Sequence, residues 1–189
     1  MLIGRYSAVL DANVLHPAFL RAALFWFADE RLFQPVWSQD ILQEWRRSIK
    51  KRFSLDDAAV EKAAAAFLRF PDAEIDGYQD LIPSLKLPDE DDRHVLAAAI
   101  LGKCNGIVTA NGKHFPPAIA AQYTVEIIHP DDFIVNIIDL HQERAIAACK
   151  RHRAAMTQTN PSVADYLARF ERSGLIQAHG RLSKLSEVL

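Results

Sequence analysis

The chain has 189 residues, is half hydrophobic and 24% charged, and carries a formal net charge of −2. That balance is of a folded chain rather than a disordered one, and no apolar run reaches the roughly 18 residues that cross a bilayer. Cys104 and Cys149 stand 45 positions apart with no local partner, which excludes a disulfide framework and a zinc pattern. The opening segment MLIGRYSAVLDAN lacks the apolar stretch and cleavage site of a secretory signal, so a cytoplasmic protein with no membrane association is expected.

Ser7–Leu10 (SAVL) reads as a buried strand that runs straight into Asp11. Helix-period apolar positions cover 17–31. Gln34–Trp37 follows as a strand that Pro35 can open, and Ser38 is placed to cap a helix from Gln39 to about Phe53. The run Ser54-Leu-Asp-Asp57 resembles a capping box for a helix through Phe70, which Pro71 ends. Glu74–Asp76 is a short third strand and Asp89–Lys103 an Ala-rich helix. Gly106–Thr109 and Thr124–Ile128 complete the strands.

Short non-amphipathic strands alternating with helices predict an α/β domain with a parallel β-sheet flanked by helices, over residues 1–129. Residues 130–189 read as an all-helical C-terminal extension: one long helix over 131–156, then a helix from a capping box at Ser162–Asp165 to Arg172, then a short final helix. The acidic excess is confined to the first part, with 17 acids against 14 bases before residue 130 and 7 against 8 after it.

Four segments carry oxygen donors toward one end of such a sheet, where strand ends collect function. Asp11 terminates the first strand, with Asn13 placed to turn the chain and support it. Glu44 falls on the shoulder of the stripe Ile41, Trp45, Ile49, so it is either a site residue or the partner of Arg47 or Arg21. In the run PDEDDRHVLAAA, Asp89 suits an N-cap and Glu90 a solvated first-turn acid. Asp92, above Val95, Leu96 and Ala99, tops the buried face, with Asp91 as its competitor. Thr109 and Asn111 stand at a second strand end. An all-oxygen set of this kind suits Mg²⁺ or Mn²⁺, and such an ion serves phosphodiester hydrolysis.

The order LDANVL, Glu44 inside a helix, DDRHVLAAA, then IVTANGKHFP resembles the PIN-domain nucleases, including the toxins of VapBC-type toxin–antitoxin pairs, over roughly residues 5–130. The resemblance implies a Rossmann-like parallel sheet, a Mg²⁺- or Mn²⁺-dependent endoribonuclease, a cognate antitoxin and frequent homodimers. Carried over by position, the family's acids fall on Asp11, Glu44 and Asp92. Many relatives place an Asp where this chain has Asn111, a neutral amide that weakens a second metal position and that Asp91 could offset. The extension resembles that of longer PIN proteins with a C-terminal helical domain.

For RNA, Arg46, Arg47, Lys50, Lys51 and Arg52 put five bases on the helix of Glu44, and Lys113 and His114 follow Asn111. Two other functions fit parts of the pattern. A catalytically silent RNA-binding or regulatory module is compatible with Asn111. A phosphatase of the haloacid dehalogenase type also starts from an acid after strand one, but it needs a second acid where Asn13 stands.

Overall fold

The computed structural model describes residues 5–189; residues 1–4, which open the segment read as lacking a leader, lie outside the described residues. Five parallel strands, β1 (Ser7–Leu10), β2 (Gln34–Ser38), β3 (Glu74–Ile75), β4 (Gly106–Val108) and β5 (Glu126–Ile128), form one sheet in the order β3-β2-β1-β4-β5. In β1, Val9 stands beside Val36 of β2 on one side and Ile107 of β4 on the other. Ala8, Val9 and Leu10 are fully buried, as are Ile107 and Val108, because helices cover the sheet. Both central strands therefore read as unbroken apolar runs. Strand order reverses between β1 and β4, the switch point at which a parallel sheet places its crevice, and at the carboxyl ends of these strands the chain continues into Asp11 and Thr109.

The helices α1 (Ala12–Leu15), α2 (Ala18–Asp29) and α3 (Gln39–Phe53) follow the first strands. Ser38 opens α3 by accepting the Ile41 N–H at 3.3 Å. Ile41, Leu42, Trp45 and Ile49 form its buried stripe, and the Trp45 indole N–H donates to the Leu15 carbonyl at 3.0 Å. That bond ties α3, which carries Glu44, to α1, which carries Asn13. Downstream come α4 (Asp57–Ala64), α5 (Arg93–Leu101) and α6 (Pro117–Ala120). Val95 through Ala99 of α5 are all fully buried, since alanine side chains let this helix sit close against the strands.

The capping box expected at Ser54 is displaced by two residues. Ser54 ends α3 in the left-handed conformation, with φ 51°, and Asp56 caps α4 by accepting the Ala59 N–H at 2.8 Å. The helix through Phe70 closes as a tighter 3₁₀ turn over Ala65–Arg69. Ahead of α5, Glu90–Asp92 is likewise a 3₁₀ turn, capped by Asp89 through the Asp91 N–H at 3.1 Å.

The long helix expected over 131–156 is two helices, α7 (Pro130–Leu140) and α8 (Gln142–Ala155), which meet at His141 with φ −142° and ψ 52°. The break lets α8 pack back along α2. α9 (Val163–Arg172) opens as expected at Ser162, whose hydroxyl accepts the Asp165 N–H at 3.1 Å and donates to the Asp165 carboxylate at 2.7 Å. α10 (Ile176–Ser183) follows. Phe19 of α2 packs among His152, Tyr166 and Phe170, with ring centroids 5.0–5.8 Å away. The hydrophobic core is continuous from β1 to the last helix. Among the described residues no helix is long and apolar enough to cross a membrane.

Candidate metal and nuclease site

Asp11 is 2% exposed, at the carboxyl end of β1. One of its carboxylate oxygens accepts from the Thr109 hydroxyl at 2.7 Å and from the Asn13 side-chain amide at 2.5 Å. The same Asn13 amide nitrogen is 2.9 Å from the Thr109 oxygen, while the Asn13 carbonyl accepts the Ala110 N–H at 2.9 Å. Asn13 thus pins the start of α1 to the end of β4. Asn13→Ala frees the Asp11 carboxylate and leaves the Ala110 N–H unpaired. A loss of about 1–3 kcal/mol is expected, read as a fall in melting temperature of a few degrees, while Asn13→Asp, which keeps the acceptor but sets a second carboxylate against Asp11, should lose at least as much at neutral pH.

Burial pushes the Asp11 carboxyl up to about 6 against the lowering effect of the Thr109 hydrogen bond, and the negative charges of Glu44 and Asp92 push it further. Three acids from β1, α3 and the start of α5 therefore bear on one another at the crevice. Glu44 remains 44% exposed, and its closest basic neighbour is neither Arg47 nor Arg21 but the His94 ring, at 3.7 Å. Arg21 instead donates to the Leu15 carbonyl at 2.6 Å and stacks over Trp45.

Asp92 lies at the seam between the 3₁₀ turn and α5 and makes no capping hydrogen bond, because Asp89 takes that role. Its carboxylate is left for the site, where it meets the His114 ring nitrogen Nδ1 at 2.6 Å. Desolvation holds the Asp92 carboxyl above its usual range, against the lowering influence of His114. Asp89 is 3.6 Å from the same nitrogen. Asp91 is exposed and stands outside this group, and its place beside Asp92 is taken by Asp89. Asp91 is the middle residue of the 3₁₀ turn, and its backbone N–H is taken by the Asp89 carboxylate.

Asn111 is also exposed and contributes its backbone N–H, at 3.0 Å from the Thr109 hydroxyl oxygen. Among the basic candidates, Arg46 pairs with Glu61 at 3.1 Å and Lys50 with Asp57 at 2.5 Å, so both are engaged by α4. Arg47, Lys51, Arg52 and Lys113 are exposed, and Arg47 and Lys113 make no ion pair among the described residues. His16 and His94 were not singled out by the sequence. Each has one buried ring nitrogen without a hydrogen-bond partner among the described residues. His94 was legible as the residue two past Asp92 in DDRH; nothing in the sequence marked His16.

The donors fit a hard divalent cation on this structure's own terms. The charges of Glu44 and Asp92 raise the cost of ionising Asp11, that of Glu44 raises the cost for Asp92, and none of the three has a lysine or arginine partner among the described residues. The parallel sheet with strand order 3-2-1-4-5 and an acidic cluster at its switch point define the class of protein. The sequence profile described as the PIN domain matches residues 7–113, and the chain belongs to the PIN-domain family. A second profile, described as the VapC50 C-terminal domain, matches residues 130–184. One similar protein is "Putative ribonuclease VapC50" of Mycobacterium tuberculosis (strain ATCC 25618 / H37Rv), 45% identical over 67 residues, which are 35% of this chain and 39% of that protein. The similarity thus spans well under half the length of that relative.

Proposed function

We propose that this chain is a Mg²⁺- or Mn²⁺-dependent endoribonuclease that hydrolyses RNA phosphodiester bonds, acting in the cytoplasm as the toxin of a type II toxin–antitoxin pair. The observation that carries the reading is the buried Asp11 at the sheet's switch point, its carboxyl pushed up to about 6 with the charges of Glu44 and Asp92 adding to burial. A site of this kind is costly to hold in its ionised form, and a bound cation removes that cost. The chain's membership of the PIN family and its likeness to the protein named "Putative ribonuclease VapC50" point the same way.

In this reading Asp11, Glu44 and Asp92 hold the ion. When bound, the ion supplies water activation and charge neutralisation at the phosphate. Thr109 and Asn13 hold the Asp11 carboxylate in one orientation by two hydrogen bonds and are joined to each other by a third, so little reorganisation is needed on loading. Arg47 and Lys113, exposed and unpaired among the described residues, are available to RNA phosphates, whereas Arg46 and Lys50 must first leave Glu61 and Asp57. Residues 1–129 form the nuclease domain and 130–189 the extension, and a cognate antitoxin and a second copy of the chain are the expected protein partners.

The phosphatase reading loses ground at Asn13, whose amide donates to Asp11 at the place where that chemistry needs a second acid. The nuclease reading is tested by incubating the chain with single-stranded RNA. Cleavage is expected in Mg²⁺ or Mn²⁺, is stopped by EDTA and returns when either ion is added back. Cleavage that continues in EDTA sinks it, and RNA binding without cleavage in either metal establishes the silent module instead.

A further inference from the structure

We propose that Asp89, Asp92 and His114 build a position for a divalent transition-metal ion with one imidazole and two carboxylate ligands, and that this chain therefore selects Mn²⁺ over Mg²⁺. The inference rests on the nuclease reading, since Asp92 is shared with Asp11 and Glu44, and it assigns that site a metal preference. Each of the three side chains offers one ligand atom, and these atoms all lie within 4.8 Å of one another. Ligand bonds of about 2.1 Å put neighbouring donors roughly 3 Å apart and opposite ones roughly 4 Å apart, so an ion enters this triangle with small side-chain rotations.

The surroundings leave the cluster without a fixed cation. Arg93, the nearest base in the chain, donates to Glu90 at 2.7 Å. Lys113, next to His114, is exposed and makes no ion pair with Asp89 or Asp92. Two carboxylates are thus gathered about an imidazole with no lysine or arginine between them. All three residues are half-buried, which raises the cost of leaving like charges side by side. They come from two local structures: Asp89 caps and Asp92 ends one 3₁₀ turn, and His114 closes a second, Gly112–His114, after β4. The arrangement is set by backbone on both sides of the crevice rather than by flexible side chains alone.

The imidazole decides the preference. Mg²⁺ favours oxygen donors and keeps its water, whereas imidazole suits later first-row ions, and affinity for mixed nitrogen and oxygen sites rises from Mn²⁺ onward. Asn111, neutral and exposed, adds no carboxylate at the second strand end, so His114 is the nitrogen donor that replaces it in function.

Electron spin-echo envelope modulation of Mn²⁺ bound to the full chain tests this, because it detects ¹⁴N of a directly coordinated imidazole. The wild type is expected to show that coupling. His114→Ala and the more conservative His114→Gln are expected to lose it while keeping a wild-type circular-dichroism melt. In calorimetric titrations the preference for Mn²⁺ over Mg²⁺ is expected to fall by about tenfold in both variants. Bound Mn²⁺ with no nitrogen coupling in the wild type overturns the inference and leaves the nuclease reading standing. Coupling that persists in both variants overturns it too, by assigning the nitrogen to another histidine such as His94. No Mn²⁺ binding at all overturns the inference together with the reading beneath it.

Discussion

Asp11→Asn is expected to abolish metal-dependent RNA cleavage and, at the same time, to make the metal-free protein more stable at neutral pH. Both effects come from one carboxylate. Removing its charge takes away a ligand and several kcal/mol of charge stabilisation, which corresponds to a fall in rate of roughly 10²–10³-fold or more. The stability effect follows from linkage. Burial, helped by the charges of Glu44 and Asp92, holds the folded carboxyl at about 6 against 3.8 for the free group. The folded state therefore binds this proton more tightly than the unfolded chain does. The stabilisation that the proton brings is complete below pH 4 and is lost as pH rises through 6.

At pH 7 the ionised Asp11 costs the metal-free fold about 2–3 kcal/mol. The asparagine keeps an oxygen that can accept from Thr109 and Asn13 and has no charge to desolvate. In EDTA at pH 7 the variant is expected to melt several degrees above the wild type, and the two curves should meet near pH 4. Added Mn²⁺ should raise the wild-type melting temperature by more than the variant's, since the variant has lost one ligand and keeps only Asp89, Asp92, Glu44 and His114. A folded Asp11→Asn protein that still cleaves RNA in Mg²⁺ removes Asp11 from the chemistry. A variant less stable than wild type at pH 7 removes the electrostatic account of the site.

Much of the sheet was legible because its signals are local. SAVL and GIV are apolar runs short enough for strands, Ser38 sits where a cap is needed, and each strand-to-helix junction has a polar residue at the turn. The place of Asp11 followed from the same logic, since a residue at a strand end has its direction set by the strand. The errors came where a non-local contact or a one-residue backbone change decided the outcome. The apolar period runs on from Ile134, Ile137 and Ile138 to Ala145, Ala148 and Cys149, all of them buried, so nothing in the pattern announced the break at His141. Ser54 and Asp56 are both good capping residues two positions apart, and the left-handed turn at Ser54 settled which one caps. The pairing of Arg46 and Lys50 with α4 could not be read from a basic run, because it depends on how two helices meet. His114 was visible as a candidate for RNA, but its contact with Asp92 joins residues 22 positions apart.

The second large effect lies in the extension, at Asp131, where the sequence showed only a first-turn acid. Asp131 is 4% exposed, and its carboxylate accepts the Gln177 N–H at 2.8 Å and the Ala178 N–H at 2.9 Å. It caps α10 from a different helix, satisfying two backbone donors that a helix start leaves without partners. Leu175 at that start has no side-chain cap of its own, so nothing local replaces the bond. Asp131→Ala therefore strands two N–H groups beside a buried helix start, one of them fully within the core. A loss of about 2–4 kcal/mol is expected, or roughly 5–15 °C in melting temperature. Asp131→Asn can accept one N–H but turns its own amide toward the other, so it should fall between the two. Hydrogen exchange locates the effect: amides of α10 should lose protection first, because α10 is the element released, while those of β1 and β4 follow the global transition. Equal loss of protection across α10 and the sheet would mean that Asp131 stabilises the whole fold and not this one helix.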